Sequence, residues 1–146
     1  MPGVVGWYVP QRIVNGPSPA SAPWPAGWVL VGAGVLLYLW CLLMFLLSGG
    51  TPAVFFTRPL HFLIGSEPGE VVRRGPYCFS RNPMYIAVIA AILGQAAVYR
   101  SAAVLRYAIA AAVTFHLVVV LLEEPHLRAV RGAEYEKYAQ SVRRWL

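Results

Sequence analysis

The 146-residue chain has no aspartate and a single lysine, Lys137, and its six glutamates and twelve basic residues make up only 12% of it. Beside 58% hydrophobic residues and a mean hydropathy of +0.58, so few charges exclude an ordinary soluble domain of this length and point to an integral membrane protein. Cysteine is equally scarce. Cys41 lies in an apolar run and Cys78 beside a polar motif, which makes neither a disulfide framework nor a metal site. There is no internal repeat, no low-complexity linker, and no basic stretch followed by an apolar core and a cleavage site at the start, so a cleaved signal peptide is not expected. The net charge of +6 would suggest nucleic acid in a soluble protein. In a chain this apolar it marks loops held against an anionic leaflet, and no nucleic-acid partner is expected.

What the chain does have is three long apolar stretches. Residues 26–48 would reach about 34 Å as a helix, enough for a hydrocarbon core of roughly 30 Å. Residues 102–122 are comparable, with Ser101 as N-cap and Arg106 placed to snorkel. Residues 83–99 reach only about 26 Å and need help from flanks, bilayer thinning or neighbouring helices. Only Tyr99, Arg100 and Ser101 precede the next apolar run, so the second and third spans should form a tight antiparallel hairpin. The first 25 residues combine an apolar start with the proline-dense "NGPSPASAPWP" and read as a loop or interfacial segment, with a truncated fourth span as the alternative. The expected fold is therefore all-α and multi-pass, one membrane domain over residues 1–146.

Arg58, Arg73, Arg74 and Arg81 lie in the connection 49–82, and Arg128, Arg131, Lys137, Arg143 and Arg144 in the tail. The other side holds Arg12, Arg100 and Arg106, so the positive-inside rule places connection and tail in the cytoplasm. Both then meet at one membrane face. The third span ends in "LLEEPHL". Glu123 and Glu124 either face the interior, a polar ligand or water, or are interfacial glutamates that stop a helix before Pro125. His116, seven residues before Glu123, falls on nearly the same helical face. It is either a proton acceptor there or a buried histidine bonded to a neighbouring helix.

At the start of the second span stands "GPYCFSRNPMY", residues 75–85. Gly75-Pro76 makes a turn, and Pro83 suits the first helical position, leaving free N–H groups at the membrane surface. Arg81 strengthens the pull of that helix start on an anion. Tyr77 and Tyr85 taken singly fit an aromatic belt; together with the arginine and the glutamate pair they outline a site.

These residues carry a resemblance. "GPYCFSRNPMYIA", a hydrophobic hairpin and "EEPHLRAVRGAEYEKYAQSVRRW" resemble the isoprenylcysteine carboxyl methyltransferase and phospholipid methyltransferase group of membrane enzymes, over about residues 71–145. The resemblance implies S-adenosylmethionine as cofactor, held by backbone near Val71 and Val72, by Gly75, Pro76 and Tyr77, by Arg81, Asn82, Pro83 and Tyr85, and by Glu124 with Glu123. It implies methyl transfer to a lipophilic small molecule or lipid-attached acceptor, with His116 or Glu123 as proton acceptor at a catalytic site. The chain departs from the family pattern at three places. Asn82 stands where the family has histidine, Ala87 where it has glycine, and Val120 where prenylcysteine-specific members are expected to carry arginine. Asn82 keeps hydrogen bonding but is no base at neutral pH, which suggests a positioning role, and Val120 makes a neutral amine, thiol or phenol on a lipophilic molecule as plausible an acceptor as a carboxylate.

After Gly132, Tyr135, Tyr138, Val142 and Trp145 recur at helical spacing and predict an interfacial amphipathic helix that caps the cofactor site or anchors the tail. Ala87, Ala90, Ala91, Gly94 and Ala97 suit close helix packing, and Gln95 could bridge helices. The apolar patch of Phe55, Phe56, Leu60, Phe62 and Leu63 in the connection could guard lateral access for a lipid-like acceptor. Two alternatives stand beside the methyltransferase: an NADPH-dependent membrane reductase of sterol-reductase-like architecture, and a noncatalytic membrane protein.

Overall fold

A computed structural model describes residues 4–14, 25–48 and 74–145, and every regular element among them is helical. A π-helical turn, Val4–Tyr8, runs into α1, Val9–Val14. Then follow α2, Pro25–Leu47; a 3-10 turn, Gly75–Cys78; α3, Pro83–Val98; α4, Ala102–Val118; a second π turn, Val119–Glu123; and α5, Glu124–Ser141. Pro25 and Pro83 open their helices, where the missing N–H costs no bond. The expectations for Val71 and Val72, for the apolar patch from Phe55 to Leu63 and for the stretch between Val14 and Pro25 fall outside the described residues.

Among the described residues two helices are long and apolar enough to cross a membrane: α2, over Pro25–Met44, and the helix Ala102–Ser141, of which residues 102–122 form the apolar part. The 16 residues of α3 fall short of that length. Leu105, Ile109, Val113, Leu117 and Leu121 recur every fourth residue and all stand exposed, as do Trp28, Leu36, Leu39, Leu43 and Leu47 on α2. Apolar stripes of this extent belong against lipid, and the chain is a membrane protein.

Helices α2 and α3 run antiparallel in backbone contact. A Cβ on Gly34 would lie 2.7 Å from the Ala87 oxygen, one on Gly27 2.6 Å from the Val98 nitrogen, and one on Gly94 2.7 Å from the Val31 nitrogen. Glycine is required at these points by space, and the small-residue surface expected of α3 is where α2 docks. The opposite side of α3 supplies Tyr85, Val88, Ile92 and Ala96 to a core shared with Val104, Ala108, Ala111, Phe115 and Val119 of α4. The α3–α4 hairpin is as tight as the sequence implies: Arg100 takes a positive φ of 48°, and the Ser101 hydroxyl caps α4 by accepting from the Val104 amide at 3.3 Å.

Of the first 25 residues, read as a loop or interfacial segment, residues 4–14 are not a loop. Val4–Tyr8 and α1 are helical and dock on α3 and α4. Pro10 has no N–H to offer the Gly6 carbonyl four residues back, and the Gln95 side-chain amide donates there instead. The Tyr107 hydroxyl donates to the Val5 carbonyl at 2.9 Å. Gln95 thus bridges helices as expected, with the N-terminal turn as its partner.

Candidate active site

The site forms where the start of α3, the π turn and α5 meet. Pro125 explains the π turn. It cannot donate to the Leu121 carbonyl, the α-helical ladder loses a bond, and the Glu124 amide reaches back five residues to the Val119 carbonyl. The helix gains a residue within one turn, and both glutamates turn inward: Glu123 is 3% exposed and Glu124 4%. This settles the two readings of the pair, because neither is a solvated interfacial carboxylate.

Buried carboxylates require donors. Glu123 receives the Tyr85 hydroxyl, and the Tyr85 ring stacks on Phe115 with centroids 4.7 Å apart. Glu124 receives a two-pronged bond from Arg144, Nε to Oε1 at 2.6 Å and Nη2 to Oε2 at 3.0 Å, and a third from Arg81 Nη1 at 3.2 Å. Arg128 stands 4.0 Å away. Burial pushes the Glu124 carboxyl up, but the Arg144 hydrogen bond and the charges of Arg81, Arg144 and Arg128 outweigh it and hold the group below its ordinary value. Arg81 also donates to the Tyr135 hydroxyl at 3.2 Å.

The 3-10 turn Gly75–Cys78 puts Tyr77 beside this cluster. Gly75 has φ +59°, a left-handed conformation that glycine tolerates, and a Cβ there would press on Met44 and the Trp40 indole. Pro76 and Tyr77 are buried. The Tyr77 carbonyl accepts from the Tyr138 hydroxyl at 2.8 Å, whereas its own hydroxyl has no hydrogen-bond partner among the described residues. Burial, followed by the fields of Cys41, Tyr138, Tyr38 and Glu123, pushes that phenol up and keeps it neutral. The buried Nε of Arg81 likewise has no hydrogen-bond partner among the described residues.

Asn82 precedes Pro83 at the start of α3, and its side-chain amide donates to the Arg144 carbonyl at 2.9 Å. Tyr85, Arg81, Asn82, Glu123 and Glu124 are therefore brought together. His116 is not. It is exposed and accepts from the Trp145 indole at 3.2 Å, because the π turn rotates the helix between it and the buried Glu123. The expected shared face rested on uninterrupted α-helical geometry.

The tail also differs from the expected helix. Gly132, with φ 48° and ψ −123°, kinks α5, which lets Tyr135 and Tyr138 bury against the motif. The helix ends at Ser141, so Val142 and Trp145 do not share its face. Val142 is extended, and Arg143 forms a parallel bridge with Ser80. Sequence reasoning missed Arg144, whose charge resembled any other in a basic tail. No glycine or proline marks the end of α5. Pro125 within a helical pattern was the available signal for the π turn.

No curated protein and no solved structure matches the chain. Residues 25–134 do match the family described as phospholipid methyltransferase, which spans α2, the motif, the hairpin and the glutamate pair. Three-quarters of the sequence, including the motif, the glutamate pair and the first part of α5, therefore places this chain in the phospholipid methyltransferase family of membrane methyltransferases.

Proposed function

We propose that the chain binds S-adenosylmethionine at the cluster of Tyr77, Arg81, Asn82, Tyr85, Glu123 and Glu124 and methylates a small lipophilic or lipid-attached acceptor. One observation carries the reading. Two buried carboxylates meet the start of α3 beside two buried polar atoms, the Tyr77 hydroxyl and Arg81 Nε, that have no hydrogen-bond partner among the described residues. Native proteins seldom leave such atoms unsatisfied, and a polar ligand is a common reason when they do. The donor set suits the cofactor. Glu124 can hold its ammonium or ribose hydroxyls, Arg81 its carboxylate, and the Pro76–Tyr77 turn its flat base.

Bound there, S-adenosylmethionine supplies an already activated methyl group for in-line displacement. The protein's part is to orient, to exclude water and to take up a proton. Tyr85 orients the Glu123 carboxylate by its hydrogen bond and stacks against Phe115. Glu123 is thus the best-placed proton acceptor, and the exposed position of His116 makes it the weaker candidate. Asn82 positions backbone in this reading. In the membrane, α3 serves as a third crossing between α2 and α4, and the arginine-rich end carrying the site faces the cytoplasm, as the positive-inside rule favours. Family membership supports methyl transfer and lends nothing to the reductase alternative.

The test is calorimetry on detergent-purified protein with S-adenosylmethionine, NADPH and a Glu124→Ala variant. Saturable binding of S-adenosylmethionine that the variant loses is the expected result. No binding to demonstrably folded protein would overturn the proposal.

A further inference from the structure

The last described residues, 142–145, run as a strap beside the start of α3. The Arg81 amide donates to the Arg143 carbonyl at 2.9 Å, next to the parallel bridge between Ser80 and Arg143. The Arg144 carbonyl accepts from the Asn82 side-chain amide at 2.9 Å and from the Ser80 hydroxyl at 3.3 Å. Beyond it, the Trp145 indole donates to His116 Nδ1. The Arg144 side chain turns inward and forks both oxygens of Glu124. This strap lies outside the region, residues 25–134, that matches the family.

From this arrangement we infer that the strap is a built-in latch: Arg144 occupies the Glu124 carboxylate until the cofactor displaces it, and Ser80, Asn82 and the Trp145–His116 contact hold the latch shut. The inference rests on the proposed cofactor site. Three observations carry it. First, Glu124 Oε1 already accepts from Arg144 and Arg81, and Oε2 accepts from Arg144 with Arg128 nearby, so little acceptor capacity remains for a ligand. Second, Arg144 is 36% exposed at its side chain while Glu124 is 5% exposed, so the arginine comes from the solvent side and can leave without disturbing the core. Third, Asn82 spends its side-chain amide on the strap's backbone.

A latch reduces apparent affinity by the fraction of molecules that are open. Releasing it strengthens binding without adding any contact to the ligand. Arg144→Ala should therefore bind S-adenosylmethionine several-fold more tightly than the unaltered chain, on the scale of one partly exposed ion pair. Because removing a cation beside a cationic ligand could raise affinity by itself, Trp145→Ala supplies the charge-neutral control and should shift affinity in the same direction.

The experiment is calorimetric titration of the full chain in detergent with S-adenosylmethionine, for the unaltered protein and both variants. Hydrogen exchange at the Arg81 amide, which the strap protects, is followed in parallel. Tighter binding by both variants, and faster Arg81 exchange on adding S-adenosylmethionine to the unaltered chain, are expected. Weaker binding by the variants, or slower exchange when ligand binds, would overturn the latch and make the strap a lid that completes the site. Absence of binding in all three folded proteins would instead remove the proposed cofactor site, and the latch with it. Binding by the unaltered chain with no gain in either variant sinks the latch alone.

Discussion

Tyr85 and Glu123, 38 residues apart in sequence, share a buried hydrogen bond in which the phenol donates to the carboxylate. It ties the first turn of α3 to the π turn, so a change at either residue should be felt on both sides of the site. Glu123→Gln keeps the shape and hydrogen-bonding reach but removes the proton acceptor. Turnover should fall about a hundredfold while cofactor affinity changes little, which separates a chemical role from a binding one. Equal loss of cofactor affinity would leave Glu123 with a binding role alone.

Tyr77→Phe deletes a buried hydroxyl without a partner among the described residues. Relieving that desolvation should raise stability by about 1 kcal/mol, read as a higher unfolding midpoint, while affinity for S-adenosylmethionine drops. Stability and function moving in opposite directions is the signature of a polar atom kept for a ligand. A variant that lost stability would place the hydroxyl in the structural network instead.

The α2–α3 contact makes a prediction far from the chemistry. At Gly34 even a methyl group would stand 2.7 Å from the Ala87 oxygen, and that neighbour is backbone. Gly34→Ala should cost about 1–3 kcal/mol as the helices separate. Gly32, whose added Cβ meets nothing within 4 Å, should accept alanine without loss. Thermal unfolding of the two variants in one detergent gives the comparison.

Acidity should loosen the tail. The Glu124 carboxyl is held below its ordinary value of 4.5 in the folded chain, so its pairing stabilises fully above that value and is lost as the pH falls through the lower, folded one. Exchange at the Arg81 amide, followed over roughly pH 3 to 6, should accelerate toward the acid end after correction for intrinsic exchange rates. Glu124→Gln should flatten the profile.

Much of this architecture was legible because it rests on local rules. Length and apolar composition marked α2 and α4, Pro83 and Ser101 marked helix starts, and the short connection at Tyr99 to Ser101 marked the hairpin. The meeting of motif and glutamate pair followed from charge on one membrane face. Three features escaped, each for a physical reason. The N-terminal helix depends on Gln95, a donor 89 residues from the Gly6 carbonyl it satisfies. The separation of His116 from Glu123 depends on one unmade backbone bond at Pro125. Arg144 depends on where α5 stops, a limit set by tertiary pairing with Ser80 rather than by any breaker in the sequence.

The π turn has a wider consequence. Along α4 the residues exposed every fourth position answer to lipid, whereas from Glu124 onward the same continuous helix answers to a polar site. An uninterrupted α-helix fixes about 100° per residue and would lock these two demands to one angular register. The extra residue acts as a phase shifter, so that the membrane-facing half and the ligand-facing half can each change without misaligning the other. Shortening the segment Val119–Glu123 by one residue would restore the common register, and both carboxylates would swing away from the start of α3 while the upstream leucines stayed where they are.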